Sequence, residues 1–302
     1  MIPQLPGGIV PMQYAFFRAD GSLDLEALRI QIDACLRAGA PGIAVLGLAT
    51  EVGKLSPEER SALLEAAAAA TRGRAPLSVT VFGQTPEEQI AFVREAERAG
   101  AASVILQPPR IPGIGERELA RFFGRVIDAA EIPAGIQNAP EYIGIGLGVE
   151  AIVALARNHP NFRVLKMEGS ATLVRRTIEA TGGALAVLNG RAGLELPDNR
   201  RAGASGMIPG AEACDVLVRV WDGLGNDDDA AEALYREVLP LLTFIMQSMD
   251  QFLCYGKRLI ARRLGLGEVH DRAPAQAPTP FGLACLERHA ARLIRTSAWH
   301  RG

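Results

Sequence analysis

The sequence predicts a (β/α)8 barrel followed by a small helical extension, and three observations carry that prediction. A helix–glycine–strand unit recurs: Arg37-Ala38-Gly39-Ala40, Arg98-Ala99-Gly100-Ala101 and Arg201-Ala202-Gly203-Ala204 each close a helical pattern and precede an apolar run. Glycine just past a helix end takes the left-handed conformation, and arginine there complements the helix dipole. Filling the intervals gives eight strand–helix units within residues 1–223, the size of such a barrel. Two helix starts, Ser56-Pro57-Glu58-Glu59 and Thr85-Pro86-Glu87-Glu88, carry a cap, a first-turn proline and a glutamate placed to reciprocate. Strands alternating with helices imply a parallel sheet.

In chain order, the apolar runs predict strands at Ile9–Gln13, Gly42–Leu46, Leu77–Val81, Ser103–Leu106, Ala134–Gln137, Arg163–Met167, Leu185–Leu188 and Gly206–Ile208. Between and after them, helical spacing predicts helices at Asp24–Arg37, Pro57–Thr71, Pro86–Arg98, Glu116–Ala129, Val149–Arg157, Ala171–Ala180, Gly193–Arg201 and Ala211–Asp222. Residues 224–302 form the extension. There Asn226-Asp227-Asp228-Asp229 caps a long helix, and further helices are expected at Gln251–Leu264 and Leu283–Thr296. Pro274, Pro278 and Pro280 read as an extended linker between them. A doubly wound nucleotide-binding sheet is the alternative architecture. Its nearest glycine signal, Gly144-Ile145-Gly146-Leu147-Gly148, follows a proline turn rather than a strand and fails the dinucleotide pattern.

Composition narrows the function classes. The chain has 302 residues, is 48% hydrophobic and carries a net charge of -2, which leaves no basic surface for nucleic acid. No apolar stretch approaches the roughly 18 residues of a membrane span. Met1–Pro11 lacks the cationic start and apolar core of a secretion signal. Cys35, Cys214, Cys254 and Cys285 stand apart in helical patterns, as reduced thiols of a cytoplasmic protein do. The four histidines have no ligand spacing, so no metal site is expected.

Lys166 is the residue that points to chemistry. It lies inside the apolar run Phe162–Glu168, between Pro160-Asn161 and Gly169-Ser170. Burial favours the neutral form of an amine, and a neutral amine attacks carbonyl carbon to give a Schiff base. Alternation sets Val164, Lys166 and Glu168 on one face near the C-terminal end of the sixth strand, where barrels of this type carry their active sites. A snorkelling lysine, or a structural pair with Glu168, is the bland alternative.

Several segments together resemble the dihydrodipicolinate synthase / N-acetylneuraminate lyase family of pyruvate-dependent aldolases. They are Gly47-Leu48-Ala49-Thr50-Glu51 with the helix start after it, Gln137-Asn138-Ala139-Pro140, Leu165-Lys166-Met167-Glu168-Gly169-Ser170, Leu188-Asn189-Gly190 and Gly206-Met207-Ile208. The resemblance also extends through the extension, including Lys257 and Pro278-Thr279-Pro280. It implies a barrel lyase with no cofactor, Lys166 as the Schiff-base former and a homotetrameric assembly. It assigns Gln137 to the catalytic set, and Ala49, Thr50, Glu51, Asn138, Glu168, Gly190 and Ile208 to the 2-oxo-acid pocket. Backbone N–H groups at Asn189-Gly190 are candidates for holding a carboxylate.

Three departures stand out. The family's relay tyrosine is Gln137 here, and an amide exchanges no protons at neutral pH. Two threonines that grip the keto-acid carboxylate are Leu48 and Ala49. The tyrosine lent by a neighbouring subunit falls near Pro109-Arg110, so Arg110 is the candidate there. These losses argue against dihydrodipicolinate synthesis itself. Glu168 is a candidate base, Tyr142 a phenol from another direction, and Arg110 and Arg191 are candidate carboxylate clamps. The expected activity is carbon–carbon bond cleavage or formation on a 2-oxo acid. The alternatives are dehydration of a deoxy-sugar acid and reversible keto-acid binding without catalysis.

Overall fold

The computed structural model describes residues 7–296 and Trp299. Eight parallel strands follow one another around a sheet in the order β1-β8-β7-β6-β5-β4-β3-β2. They are β1 Gly8–Ile9, β2 Ile43–Val45, β3 Leu77–Val81, β4 Ser103–Leu106, β5 Ala134–Asn138, β6 Phe162–Met167, β7 Ala186–Asn189 and β8 Gly206–Met207. A parallel bridge between Met12 and Ala44 joins the two ends, so the sheet closes into the expected barrel. The first strand is shorter than Ile9–Gln13 because Pro11 has no N–H to donate. Beyond it Met12 donates to Pro209 O and Gln13 to Ala44 O, so the segment continues to bridge its neighbours without a ladder.

The helices α1 Leu25–Arg37, α2 Pro57–Thr71, α3 Pro86–Ala99 and α4 Glu116–Asp128 follow β1 to β4. Asp24 caps α1, and Ser56 with Glu59 forms a complete capping box on α2. On α3 only half a box forms: Thr85 accepts from Glu88 N, but Glu88 accepts from Gln84 N instead. After β5 comes a short helix that the sequence reading lacked, α5 Pro140–Ile143, followed by α6 Val149–Asn158 and α7 Ala171–Ala180. The helix expected over Gly193–Arg201 is reduced to α8 Leu196–Arg201. Positive φ at Ala192, Gly193 and Glu195 breaks the turn before it. The barrel ends with α9 Cys214–Gly223.

Barrel closure depends on one close approach. Gly135 lies where β5 and β6 slip register, and a Cβ there would sit 2.5 Å from Val164 O. Inside, side chains from alternate strands form layers: Val10, Ser78, Ser103, Ile105, Val164 and Leu188 fill the lower barrel. The next inward positions, toward the strands' C-terminal ends, are Gln137 and Lys166, which are direct neighbours across β5 and β6.

The extension consists of α10 Asp228–Ile245, capped by Asp227, then α11 Met249–Gln251, a π-helical turn at Phe252–Gly256, α12 Lys257–Leu264 and α13 Pro280–Thr296. Pro280 therefore begins a helix rather than belonging to the linker, a position where a missing N–H costs nothing. The helix expected over Gln251–Leu264 is interrupted by the π turn. Insertions of this kind concentrate at functional sites, and Phe252 of this turn reaches the barrel mouth. Among the described residues no helix is long and apolar enough to cross a membrane. The four cysteines are free and buried. Of Met1–Pro11, residues 1–6 lie outside the described residues.

Candidate active site

Strand β6 delivers Lys166 to the C-terminal mouth of the barrel, where it is 4% exposed. Glu168, just past the end of β6, turns its carboxylate back: Lys166 Nζ stands 3.0 Å from Glu168 Oε1. The same oxygen accepts from Gln137 Nε2 at 2.6 Å, and Gln137 Oε1 in turn accepts from Gln107 Nε2 at 3.0 Å. A chain of side chains thus crosses three strand ends, Gln107, Gln137, Glu168, Lys166, and all four are buried. A buried ion pair rarely repays its desolvation. This one is built onto a polar network at the catalytic end of a barrel, which is where chemistry is expected to keep it. Gln137 is oriented by Gln107 and orients Glu168, which suits a residue that positions a carboxylate rather than one that relays protons.

Against Lys166 and Glu168 lies a small cavity of about 30 Å³. Its walls are Leu48 and Ala49 after β2, Lys166 and Glu168 after β6, Gly190, Arg191 and Ala192 after β7, and Ile208, Pro209 and Gly210 after β8. Met246, Met249 and Phe252 of the extension roof it with apolar groups. An outer vestibule of about 380 Å³, lined by Gln107, Arg110 and Tyr142, adjoins it across Leu48 and Met249. The residues expected to line the pocket therefore divide. Gln137, Ala49, Glu168, Gly190 and Ile208 lie at or beside Lys166, whereas Arg110 stands in the vestibule, exposed, 5.7 Å over the Phe82 ring.

Three expected pocket residues do not reach the chamber. Thr50 is buried, but its hydroxyl donates to Gln13 O at 2.6 Å. Glu51 follows with φ of 55°, and this left-handed turn sends its carboxylate away from the mouth, to Lys54 and the buried Lys257 of α12. Glu51 therefore ties the barrel to its extension. Asn138, one position beyond Gln137, points to the opposite face of β5. Both ends of its amide are used on Leu147, accepting from Leu147 N at 2.7 Å and donating to Leu147 O at 2.9 Å. Its work is to pin the 139–148 loop that carries Tyr142. The Gly190 N–H, a candidate carboxylate donor, is committed to Met167 O at 2.7 Å.

Two features escaped the sequence reading. Gln107 follows β4 directly, at the C-terminal strand end where such barrels carry their active sites, and that placement was the signal available for it. Behind the Gly210 wall lies a buried pair: Tyr14 donates its hydroxyl to Glu212 Oε2 at 2.9 Å, and Glu212 Oε1 has no partner among the described residues. Burial pushes the Glu212 carboxyl up to about 7, against the pull of Tyr14 and Arg263, and burial raises the Tyr14 phenol as well. No Cβ would fit at Gly210, whose place is taken by Glu212, Phe252 and Tyr14. At the other wall, Arg191 hydrogen-bonds Tyr142 and pairs with Glu195 at 2.7 Å. Burial raises the Tyr142 phenol and outweighs the opposing effect of Arg191. Among the described residues no cluster of three or more His, Cys, Asp or Glu forms a metal-binding set.

Comparison with known proteins agrees with this geometry. The family model of the dihydrodipicolinate synthetase family matches residues 5–274. The chain belongs to that family. It is 29% identical over 247 residues to L-2-keto-3-deoxyarabonate dehydratase of Azospirillum brasilense, covering 78% of each chain. It is also 26% identical over 272 residues to 4-hydroxy-tetrahydrodipicolinate synthase of Haloarcula marismortui, with 88% of this chain and 87% of that one covered. Among solved structures, YagE of Escherichia coli K12, in complex with pyruvate, superposes with a TM-score of 0.86 at 26% identity, covering 95% of this chain and 98% of YagE. Family members thus include synthases, aldolases and dehydratases, and the protein is a lyase of this group.

Proposed function

We propose that the protein forms a Schiff base between Lys166 and a 2-keto-3-deoxy sugar acid and eliminates water from it. The observation that carries this reading is Glu168 Oε1 at 3.0 Å from Lys166 Nζ, with Gln137 at the relay position. Glu168 first accepts a proton from the Lys166 ammonium. The freed amine attacks C2 of the substrate, and the carbonyl oxygen leaves as water, carrying one amine proton and the proton that Glu168 returns, so Glu168 is again a carboxylate. In the resulting iminium, C3 lies two bonds from nitrogen, roughly 2.5 Å by covalent geometry. A carboxylate held beside Nζ is thus close to the C3 protons, which the iminium acidifies. Glu168 takes one of them, and the enamine electron pair expels the C4 hydroxyl, which leaves as water with the proton Glu168 returns. Hydrolysis of the imine releases product and restores Lys166.

Aldol cleavage of the same substrate class requires its base one carbon further out, at the C4 hydroxyl. The A. brasilense relative is named a dehydratase, which agrees with elimination. The methionine and phenylalanine roof would limit water at the imine. We read the enzyme further as cofactor-free, cytoplasmic and homo-oligomeric. The free buried thiols support the compartment, and the family resemblance supports the assembly.

The test has two arms. Borohydride reduction with pyruvate or a 2-keto-3-deoxy pentonate is expected to leave an adduct that peptide mapping locates on Lys166. Proton NMR of turnover is expected to show a dehydrated product with no pyruvate released. An empty Lys166 across a panel of 2-oxo acids would sink the Schiff base. An adduct accompanied by pyruvate release would keep the imine and transfer the assignment to aldol cleavage.

A further inference from the structure

We infer that Arg191 holds the C1 carboxylate of the substrate, in the role that hydroxyl side chains on the β2 loop play elsewhere in the family. The inference rests on the Schiff-base reading above and names the group that recognises its ligand. A 2-oxo acid bound as an imine brings a carboxylate into a chamber whose walls offer little to receive it. Leu48 and Ala49 carry no polar side chain, and the next hydroxyl, Thr50, is spent on Gln13 O. The Asn138 amide is spent on Leu147, the Gly190 N–H on Met167 O, and Gln137 Nε2 on Glu168. The only cations lining the chamber, among the described residues, are Lys166 and Arg191. Lys166 becomes the imine and already faces Glu168. An added carboxylate would leave two anions against one iminium in a buried, apolar-roofed site. Such an arrangement binds weakly unless a second cation meets the charge.

Arg191 is built to be that cation. It is half-buried, and it and Ala192 both adopt left-handed backbone, with φ of 56° and 53°. Non-glycine residues keep that conformation only where the surroundings impose it, and such residues gather at ligand-binding sites. The guanidinium is held from its outer side by Glu195 Oε2 at 2.7 Å and by the Tyr142 hydroxyl. Its Nε is buried and has no partner among the described residues. An arginine fixed at its tip with a free Nε edge presents the fork that suits a carboxylate. Glu195 and Tyr142 then act as positioning residues, holding the fork against the cavity wall.

The experiment compares borohydride trapping of pyruvate and of its neutral amide, pyruvamide, on the wild-type enzyme and on Arg191→Ala, Arg191→Gln and Arg191→Lys. The half-saturating pyruvate concentration should rise by about 10- to 100-fold in the alanine and glutamine variants, the usual weight of a hydrogen bond to a charged group. Lysine should recover part of the loss. Pyruvamide trapping should stay within about threefold of wild type, and this also shows that Lys166 remains in place. Unchanged pyruvate saturation in Arg191→Ala and Arg191→Gln overturns the inference, as does an equal loss for pyruvamide. A loss confined to substrates with a second anionic group also overturns it, by moving Arg191 to the far end of the ligand. A wild-type enzyme that traps neither compound sinks the Schiff-base reading itself, a result separate from all of these.

Discussion

Replacing Glu212 by glutamine should remove most of one pH dependence of stability. The carboxyl is fully enclosed, held by its own backbone N–H and by the Tyr14 hydroxyl, with Arg263 as the neighbouring cation and one oxygen without a side-chain or backbone partner among the described residues. Burial raises it from 4.5 to about 7. In the native state the group keeps its proton up to about pH 7, while in the unfolded chain it loses that proton near 4.5. Between those values the native state binds more protons than the unfolded state, so stability falls as pH rises. The contribution is fully present below about pH 4.5 and is lost as pH passes about 7. A gap of about 2.5 pH units corresponds to roughly 3 kcal/mol at 1.36 kcal/mol per unit.

Glutamine keeps an acceptor for Tyr14 and cannot ionise. Urea unfolding of both proteins from pH 4.5 to 8 isolates this one group, because every other titration is shared and cancels in the difference. The wild-type minus Glu212→Gln stability should decline by about 3 kcal/mol from the acid end to the neutral end and then level off. Parallel curves across that range would refute the argument. They would mean that water or Arg263 solvates the carboxylate well enough for it to ionise normally in the folded state.

Two further outcomes follow from the site. Glu168→Gln retains an oxygen that can accept from both Lys166 and Gln137, so half-saturation by pyruvate in trapping should stay within a few-fold, while the trapping rate falls and turnover falls by roughly 10²–10⁴. Undiminished kcat in steady-state assays would dismiss Glu168 as the base. Asn138→Ala leaves the N–H and C=O of Leu147 without their buried partner and should cost roughly 2–4 kcal/mol in urea unfolding, with faster proteolysis in 139–148. Native-like stability and proteolysis would return Asn138 to the pool of residues free to contact ligand.

Sequence periodicity located the barrel because helix caps and buried strands are local signals. The Ser56 box, the Asp24 cap and the run Phe162–Met167 are each read within a handful of residues. Where the reading slipped, a non-local or backbone-specific cause was at work. The Gly193–Arg201 helix is broken by left-handed residues, two of which are not glycine, a conformation that only the fold imposes. Strand alternation put Lys166 and Glu168 on one face, the resemblance supplied Gln137, and the structure brings the three together. The same rule, applied to Asn138, sets it on the outer face, yet resemblance had drawn it into the pocket along with its neighbour. Thr50 and Glu51 slipped for a related reason: a motif fixes which residues stand in a loop, not which of them the loop turns inward. The Tyr14–Glu212 pair joins positions 198 residues apart, so no local pattern could have announced it.

The placement of charge makes sense of two of the departures from the family pattern, Gln137 and the Leu48-Ala49 pair, taken together. Removing the relay phenol at position 137 removes a group that exchanges protons at some distance from the imine. Gln137 instead bonds Glu168, which stands beside Lys166 Nζ. In the proposed mechanism proton handling thereby moves inward, from the far side of the substrate to C3. A carboxylate at that point repels the substrate's own carboxylate, and hydroxyl groups on the β2 loop would offset that repulsion less than a full positive charge does. On the proposal above, Arg191 on one wall compensates for Leu48 and Ala49 on the other. On this argument Glu168 and Arg191 are linked. Restoring threonines at positions 48 and 49 should rescue pyruvate trapping in Arg191→Ala more fully when Glu168 is also glutamine, because the anion they must outweigh is then gone.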